Sequence, residues 1–596
     1  MITPPTLDLA VIGNSCIAGL IDSMGTIVWT CWPRIDGDPV FSALLDGSEP
    51  ESGFFSIEFD EESTSTQSYI RNTAIVRTVV TAASGASFVI TDFAPRFRQH
   101  GRTFRPPMIV RRVEPVAGLC RIRVRVRPRM GYGADRCTPV AGSNHIRYVS
   151  ESGAVRLTMD APVTYVLDES GFVLNRPLTF IMHADESFTE QVPRIAREFE
   201  DKTREYWYDW VRNLNLPFEW QDAVIRSAIT LLLCSYQETG GIVAALTTSV
   251  PEDPDSQRNW DYRYCWIRDA FFTVHALNRV GATRTMERFI DYVTNVITLE
   301  RGPVLKPVYS IAPEKRLDEQ IALALKGYRG IGPVRVGNAA VEQVQHDVYG
   351  SVILAAAQMF FDERLPNKGD VSLFNMLEPL GMQALSLALT PDAGIWEYRG
   401  RTHVHTHSAA MCWVACDRLA RIAQLLGLDE RAQQWRISAD GLRSTILQRS
   451  WNPEIRCFAG SLDGSEVDAS VLLLHELGIV SADDERFVAT VDTIGKRLRR
   501  NGHVMRYEAP DDFGAPQVAF TICTFWYVDA LAAIGRREEA RQLFEELLAR
   551  RNHVGLLSED IDPETGALWG NFPQTYSMVG IIVAAMRLSK GWESAR

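Results

Sequence analysis

Short apolar or alternating runs, separated by turn-forming pieces, recur through the first third of the chain and predict β-strands. The runs are LAVIG, AGLID, TIVWTCW, GFFSIEF, TAIVRTVVT, ASFVITDFA, MIVRRVEPV, RIRVRVRP, AVRLTMD, VTYVL and LTFIMHA. In Arg121–Arg127, arginine alternates strictly with Ile or Val, which predicts a half-buried antiparallel strand with a solvated cationic face rather than an anion site. Many strands at this spacing favour a β-sandwich.

The hydrophobic period changes near Thr189. Residues 189–214 are polar, charged and helical in pattern, and they predict a connecting helix that the segment 215–217 ends, because proline disfavours helix at the residue before it. We therefore divide the chain into an N-terminal β-sandwich domain (1–188), a linker helix (189–217) and a helical domain (218–596).

Beyond Pro217 the pattern predicts helix after helix, and no strict repeat is visible. Twelve helices would form six helical hairpins, which can close into a toroid whose loop end forms a cleft. The predicted helices begin at Glu219, Asp269, Thr283, Ala340, Ser372, His407, Asp429, Ser465, Asp484, Gln517, Arg536 and Thr575.

Length and composition limit the class of protein. A chain of 596 residues is too long for one typical core, and 46% hydrophobic with 23% charged residues is typical of a soluble globular protein. A net charge of −12 without a long basic run argues against nucleic acid or an anionic membrane as a partner. We see no signal-peptide pattern and no membrane span, so we expect a cytoplasmic protein whose scattered cysteines are reduced and mostly buried.

The densest chemistry lies in RNWDYRYCWIRD, residues 258–269, which holds three cations, two anions and four large aromatic residues. Aromatic faces can stack on the apolar face of a sugar ring, while carboxylate and guanidinium groups can hydrogen-bond several hydroxyls at once. Arg268 and Asp269 should lie at the N-terminal edge of the apolar helix that follows. The alternative is a solvated turn before a core helix, but surface turns rarely contain four aromatic residues.

Two further stretches supply candidate acids. In TPDAGIWEYRG, Glu397 follows Trp396 in a glycine-bounded loop, and in LLSEDIDPETGALWGNFPQTYS, Glu559 follows an apolar pair and a serine. A carboxyl beside apolar groups is desolvated and favours its protonated form, as a general acid requires, whereas a carboxylate kept ionised by polar neighbours can activate water. Cleavage of a glycosidic bond needs such a pair across the bond.

Together with GNAAVEQVQHDVYG, residues 337–350, these stretches resemble glycoside hydrolase family 15, which contains glucoamylases, trehalases and related α-glucosidases. The resemblance covers nearly the whole chain, and it implies a mainly α fold, in which an (α/α)6 barrel follows an antiparallel β-sandwich and a linker helix. It also implies inversion at the anomeric carbon and no cofactor. The activity we expect from it is exo-acting release of glucose from short α-glucosides, with hydrolysis of trehalose as the alternative.

The resemblance also assigns residues. Glu397 matches the general acid, Glu559 the general base, and Arg268 with Asp269 the pair that holds the terminal glucose. The other substrate-binding matches are Tyr262, Trp266, Gln345, Asp347 and Trp396, and Asp261 and Asp269 are not the catalytic acids. Tyr398 stands where fungal members carry a second acid, which weakens any inference about the leaving group.

Other classes of protein remain as alternatives. His403, His405 and His407 alternate, as a zinc-binding strand would require, but the helix pattern resumes by His407, so we predict no metal and interpret them as loop histidines beside the cleft. No serine-hydrolase elbow or nucleotide-binding loop occurs. A carbohydrate-binding protein that has lost catalysis would not need both Glu397 and Glu559. The sequence leaves a homo-oligomer open.

Overall fold

The structure is a computed structural model that describes residues 5–299, 304–312 and 317–591. Two antiparallel sheets form the N-terminal part and share one apolar core. The first contains Leu9–Gly13, Ala18–Asp22, Ile27–Trp32, Asp38–Phe41, Phe54–Phe59, Arg121–Arg127 and Phe172–Val173. The second contains Ser63–Tyr69, Val76–Ala82, Ser87–Phe93, Met108–Ala117, Thr138–Ala141, His145–Ser150, Gly153–Met159 and Leu178–His183.

The alternating arginine run is a strand, as predicted. Along Arg121–Arg127 the Ile and Val side chains are buried, and the arginines lie on the outer face. Arg121 and Arg123 pair with Asp60, and Arg127 pairs with Glu169 at 2.6 Å, so their charges are matched by nearby carboxylates. Their role is structural, as the sequence indicated.

One predicted strand is wrong. The run VTYVL forms a short helix, α1 (Val163–Leu167), although Val and Thr favour strands. Pro162 precedes the helix, where the fixed φ of proline suits a helix start. Only Val166 of the five residues is buried, so no half-buried sheet face is available to these side chains.

A long helix, α2 (Val192–Arg212), connects the two parts of the chain, in the region predicted to be a linker helix. Its buried residues recur at helical spacing, from Val192 and Ile195 to Trp207 and Val211, so one face packs on the sandwich. Glu200 on this face pairs with Arg112 of the second sheet. After α2, the amide of Asn215 donates to the carbonyl of Val280 at 2.8 Å and ties the chain to the barrel.

Twelve helices follow in the part of the chain that the structure describes. They are α3 (Gln221–Leu233), α4 (Ile267–Arg279), α5 (Thr283–Leu299), α6 (Asp347–Phe361), α7 (Val371–Leu387), α8 (Thr406–Leu425), α9 (Asp429–Ser450), α10 (Leu474–Leu477), α11 (Glu485–Arg497), α12 (Thr521–Ala533), α13 (Arg537–Leu548) and α14 (Thr575–Leu588).

Alternate helices close into an inner ring. Helix α4 packs on α6, α6 on α8, and α8 on α10. The 3-10 turn Ala469–Leu473, just before α10, packs on α12. Helix α12 contacts α14, and α14 contacts α4, which completes the ring. The remaining six helices lie outside this ring, each against an inner neighbour. The inner helices α6, α8, α12 and α14 are buried around almost their whole circumference, as expected for helices that are apolar on every side.

Most predicted helix starts agree with the structure to within a few residues, but two differ. The helix predicted from Ala340 begins at Asp347, because only a 3-10 turn, Ala339–Glu342, forms there and residues 343–346 stay outside regular helix. The helix predicted from Ser465 is reduced to a 3-10 turn and the single turn of α10. In the first case, Ala340 and Gln343 instead line the cleft described below.

The sandwich contacts the barrel through buried polar groups. The indole of Trp29 donates to the carbonyl of Leu246 at 2.8 Å, and the hydroxyl of Ser15 donates to that of Leu232 at 2.8 Å. Asn552 donates to the carbonyls of Leu7 and Leu9 at the start of the first sheet. Among the described residues, no helix combines the length and apolar character needed to cross a membrane.

Candidate active site

A single cleft collects the segments that precede the inner helices. Residues 258–266 lead into α4, Gln343 lies ahead of α6, residues 506–513 lie ahead of α12, and Glu559 and Gln574 precede α14. The loop 395–399 lies between α7 and α8. Because the positive ends of several helix dipoles face this region, it suits anionic side chains. The cavity within the cleft measures about 90 Å³.

Tyr262 and Trp266 connect the two candidate catalytic acids. The phenol of Tyr262 donates to Oε1 of Glu559 at 2.7 Å, and the indole of Trp266 donates to Oε1 of Glu397 at 2.6 Å. The two rings meet edge to face with centroids 5.3 Å apart. The carboxyls of Glu397 and Glu559, far apart in sequence, therefore lie at the two ends of one aromatic pair.

Glu397 is held by three donors on one oxygen. Besides Trp266, the guanidinium of Arg268 at 3.4 Å and the amide of Gln345 at 3.2 Å donate to Oε1. Within the described residues no donor reaches Oε2, which stays available to a ligand. The backbone of Glu397 has φ of 60°, a left-handed conformation that costs free energy in a residue other than glycine and that is frequent at functional sites.

Glu559 is the more deeply buried of the two acids. It is 2% exposed, whereas the Glu397 side chain is 24% exposed. The backbone amide of Asn571 donates a hydrogen bond to Oε2 of Glu559 at 3.2 Å. Burial, with the nearby charge of Glu252, raises the pKa of Glu559 to about 8, although hydrogen bonding from Tyr262 and the charge of Arg506 act in the opposite direction.

Two further buried acids surround Glu559. Glu252 accepts hydrogen bonds from both terminal nitrogens of Arg506, and the guanidinium of Arg258 lies 3.7 Å from the Glu252 carboxylate. Burial, with the charges of Glu559 and Glu252, raises the pKa of Asp560 well above its usual range. Single carboxylate oxygens of Glu252, Glu559 and Asp560 lie within 4.8 Å of one another, close enough for a metal ion, but Arg506 already supplies a positive charge to Glu252.

Arg268 is the centre of a buried network at the start of α4. Its Nη1 donates to Oε1 of Gln345 at 3.0 Å and to Oδ2 of Asp347 at 3.3 Å, and its Nε donates to Asp269 at 3.2 Å. Burial raises the pKa of Asp269 to about 7, against the charge of Arg268. Gln345 and Asp347 lie behind Arg268 and do not line the cavity, whereas Arg268 and Asp269 do.

Asp261 and Arg263 point away from the cleft. They form a fully buried ion pair at 2.7 Å, and the guanidinium also donates to the carbonyl of Gly37 and the phenol of Tyr132, both in the sandwich. The amide of Gly337 donates to Asp261 as well. Alternate residues of the stretch 258–269 thus serve the cleft on one side and the sandwich on the other.

Several residues of the cleft escaped sequence analysis. Trp396 was predicted, and its indole donates to Asp468 at 2.8 Å, so that its ring packs among three further aromatic rings of the cleft, those of Tyr507, Phe520 and Trp526. The residues missed include Glu252, Arg506, Tyr507, Asp512, Phe513, Phe520, Trp526 and Tyr576. Of these, Tyr576 lies in a stretch that the sequence singled out.

Two loops contact each other at the rim of the cleft. The amides of Arg399 and Gly400 donate to one carboxylate oxygen of Asp512, at 2.7 and 2.8 Å. The guanidinium of Arg399 lies 3.9 Å from the ring of Trp260, on which Phe513 also packs. These contacts narrow the mouth of the cleft.

The three alternating histidines do not form one face. His403 and His405 have ring centroids 5.8 Å apart, and His407 lies in the first turns of α8, fully buried. Within the described residues they are not among the groups close enough to share a metal ion. Burial, with the charges of nearby groups such as His403 and Arg401, lowers the pKa of His405 to about 4, and burial likewise lowers the pKa of His407 to about 4, so both are neutral at pH 7.

Comparison with known proteins gives matches over both parts of the chain. A family model described as Glycosyl hydrolases family 15 matches residues 220–586, and one described as Trehalase-like, N-terminal matches residues 3–173. A protein named trehalase from Mycolicibacterium smegmatis is 32% identical, over 99% of this chain and 92% of the relative. Another named trehalase, from Thermoplasma volcanium, is 30% identical over 97% of this chain and 93% of the relative.

The fold also matches a solved structure. A bacterial glucoamylase complexed with acarbose superposes with a TM-score of 0.71 over 99% of this chain and 95% of that chain, at 13% identity. At this identity the likeness shows the fold alone. The predicted fold class, an (α/α)6 barrel after an antiparallel β-sandwich, is confirmed.

Proposed function

The chain belongs to glycosyl hydrolase family 15, and from that membership we propose that it is a trehalase, which hydrolyses α,α-trehalose to two molecules of glucose. The observation that carries the proposal is the full-length similarity to proteins named trehalase, in both the barrel and the sandwich. The likeness to glucoamylase is one of fold, so trehalose hydrolysis replaces the expected release of glucose from other short α-glucosides as the favoured activity.

In this proposal Glu397 is the general acid and Glu559 the general base. Glu397 is supported by the convergence of donors on Oε1, which leaves Oε2 to give a proton to the glycosidic oxygen. Glu559 is supported by its place beyond Tyr262, where its carboxylate can take a proton from water attacking the opposite face of the sugar. We expect the two carboxyls to lie roughly 6.5–9.5 Å apart, as an inverting mechanism requires.

The remaining residues hold the glucose that is attacked. We assign Arg268 and Asp269 to its hydroxyls, and we assign Gln345 and Asp347 to positioning Arg268. Tyr262, Trp266 and Trp396 would supply aromatic surface to the ring. Because this network is buried and already hydrogen-bonded, binding needs little rearrangement, which favours a high effective concentration of the reacting groups.

The contacts at the rim support a disaccharide substrate. Asp512 bridges to the loop of Arg399, and Phe513 packs on Trp260, so these contacts narrow the space through which a long glucan would leave the cleft. Trehalose ends after its second glucose and needs no exit. We propose that these rim residues contact that second glucose, which is the leaving group.

A substrate screen with anomer analysis tests the proposed activity. We expect glucose release from trehalose to exceed release from maltose, isomaltose and maltotetraose by at least about tenfold in kcat/KM. Inversion at one of the two α-linked carbons predicts equal amounts of α- and β-glucose early in the reaction, read by proton NMR before mutarotation. Two equivalents of α-glucose would refute inversion. A higher kcat/KM on maltotetraose than on trehalose would favour the glucoamylase-like activity instead.

The pH dependence tests the role of Glu559. The base must be ionised, so kcat/KM should fall with decreasing pH through a pKa well above that of an ordinary glutamate, because the pKa of Glu559 is raised to about 8. Glu252→Gln removes a neighbouring negative charge and leaves the charge of Arg506 without its carboxylate partner. The fall of kcat/KM on the acidic side of the pH profile, the acidic limb, should therefore move to lower pH by about one unit.

The matched control is Glu564→Gln, an exposed acid five positions after Glu559 in sequence. It should leave the acidic limb where it is in the unsubstituted protein. If Glu252→Gln leaves the limb unmoved, the group that limits kcat/KM at low pH is not Glu559.

A protein that binds sugar without catalysis is disfavoured by the same geometry. Binding alone gives no reason to bury Glu252 and Asp560 beside Glu559 or to hold Glu397 in a left-handed conformation. The cytoplasmic location expected from the sequence stays a prediction.

A further inference from the structure

A segment between α5 and α6 connects the sandwich with the rim of the catalytic cleft. Its strand Gly327–Tyr328 pairs in parallel with Asp46–Gly47 of the sandwich. Two further short strands of the segment, Gln320–Ile321 and Arg335–Val336, pair with each other. Glu319 immediately precedes the first of these strands, and its side chain is 21% exposed. The segment thus holds Glu319 and Arg335 on a support that is anchored to the sandwich.

Glu319 bridges two arginines that come from different segments of the chain. One of its carboxylate oxygens lies 3.5 Å from Nε of Arg335, and the other accepts a hydrogen bond from Nη2 of Arg399 at 3.2 Å. The guanidinium carbons of both arginines also lie over the ring of Trp260, at 4.5 Å and 3.9 Å from its centroid. Each cation is therefore attracted by a carboxylate and by an aromatic face at once.

Arg399 is held in place and still has donors to spare. It is among the described residues that line the catalytic cleft, and Arg335 is not. Its backbone amide donates to Asp512 at 2.7 Å, so its main chain is fixed as well as its guanidinium. Within the part of the chain that the structure describes, no acceptor contacts its Nε or Nη1. These two groups are available to a ligand in the cleft.

The place of Arg399 relative to the proposed general acid indicates which sugar it meets. Arg399 follows Glu397 by two positions in the same loop. The general acid protonates the glycosidic oxygen, which departs with the second glucose, so groups beside the acid lie on the side of the leaving sugar. Trp260 also lines the cleft, but Arg399 and Phe513 already pack on its ring. Trp260 therefore supports the guanidinium and is not a stacking surface for the sugar.

The leaving sugars of trehalose and maltose present different atoms next to the bond that breaks. In trehalose the second glucose departs through the oxygen on its anomeric carbon, which also carries the ring oxygen and adjoins the C2 hydroxyl. In maltose it departs through the oxygen on C4, which adjoins the C3 hydroxyl and the ring carbon C5. A ring oxygen only accepts hydrogen bonds, whereas a guanidinium only donates them and can reach two neighbouring acceptors with its planar fork. Arginine thus suits the leaving sugar of trehalose.

We propose that Arg399 determines specificity for the leaving glucose, by donating to its ring oxygen and its C2 hydroxyl. This assignment rests on the proposed trehalase activity and names the residue that selects the linkage. Glu319 and Trp260 are positioning residues, which act through Arg399. Because the guanidinium is fixed before the substrate binds, little conformational freedom is lost on binding. A sugar linked through another oxygen leaves these donors unpaired, which lowers its kcat/KM.

Kinetics on three substrates test the proposal. Arg399→Met should lower kcat/KM on trehalose by about ten- to a hundredfold, because hydrogen bonds from a charged donor are lost. On α-glucosyl fluoride, which has no leaving sugar, kcat/KM should change by less than about twofold, and on maltose by less than about threefold. The preference for trehalose over maltose should therefore fall. Arg399→Lys keeps the charge but not the planar fork, so it should restore only part of the activity on trehalose.

The matched control is Arg401→Met, in the same loop. The guanidinium of Arg401 lies 4.1 Å from the ring centroid of Tyr398 and 3.7 Å from Glu466, and it is not among the described residues that line the cleft. This variant should match the unsubstituted protein on all three substrates. Three results for Arg399→Met would each overturn the proposal: unchanged hydrolysis of trehalose, equal losses on trehalose and maltose, or equal losses on trehalose and the fluoride, which would show a disturbed Glu397 loop.

A double-mutant cycle tests the role of Glu319. Glu319→Gln should lower kcat/KM on trehalose by about three- to tenfold, and it should have no further effect in Arg399→Met, because it acts through Arg399. Equal effects in both backgrounds would remove its positioning role. A preference of the unsubstituted protein for maltotetraose over trehalose would refute the proposed activity before any variant is made. Failure of the proposed activity and failure of the role of Arg399 are thus distinguishable.

Discussion

Replacement of Glu397 or Glu559 by glutamine should each lower kcat on trehalose by about a hundred- to ten-thousand-fold, the range expected when a general acid or base is lost. Glutamine has nearly the same shape as glutamate, so its side-chain oxygen can still accept the hydrogen bond from the indole of Trp266 or from the phenol of Tyr262. Trehalose affinity, measured by calorimetry, should therefore change little. Glu564→Gln serves as the control again, and undiminished hydrolysis in either variant would remove the role assigned to that residue.

Substrates with different leaving groups separate the two roles. Fluoride leaves without a proton, so Glu397→Gln should hydrolyse α-glucosyl fluoride at a rate close to that of the unsubstituted protein, whereas Glu559→Gln should not. Azide should restore turnover of this fluoride to Glu559→Ala, because the anion needs no base, and the product of an inverting attack is β-glucosyl azide. Rescue of the Glu397 variant by azide instead would reverse the two assignments.

Arg263→Leu should destabilise the protein by about 3–5 kcal/mol, the cost expected when one partner of a buried ion pair is removed and the other stays charged. Asp261 would keep only the amides of Arg263 and Gly337, and the sandwich would lose the contacts to Gly37 and Tyr132. The measurement is urea unfolding followed by fluorescence.

Two comparisons make the Arg263 result specific. Arg121→Leu breaks an exposed pair with Asp60 and should cost at most about 1 kcal/mol. The double variant Asp261→Asn/Arg263→Leu should be more stable than Arg263→Leu alone, because no unpaired charge remains buried. If both Arg263 variants are equally destabilised, the loss comes from packing and the contacts to the sandwich rather than from the charge of Asp261.

The fold was accessible from sequence because its two halves have different periods. Alternation as in Arg121–Arg127 and the apolar inner helices are local patterns, and each agrees with its tertiary setting. The failures have a tertiary cause. The run VTYVL satisfies strand propensity but has no sheet to join, and residues 343–346 lie outside helix where Gln345 must reach both Arg268 and Glu397.

The site was only partly accessible from sequence for a related reason. The stretch 258–269 and the segments of Glu397 and Glu559 each contain enough charged and aromatic residues to be recognised from their local sequence alone. Glu252 and Arg506 are ordinary in their local sequence, and only folding pairs them beside Glu559. The relative burial of the two glutamates also depends on distant segments, so no local pattern could show that Glu559 is the more desolvated.

The order in which the chain is synthesised gives the contact between Arg263 and the sandwich a further meaning. Domains generally fold as units during synthesis, the N-terminal one first. The carbonyl of Gly37 and the phenol of Tyr132 would thus be in place on the ribosome before residues 258–269 emerge. The sandwich would then act as a template on which residues 258–269 are positioned while the later barrel helices are still being made.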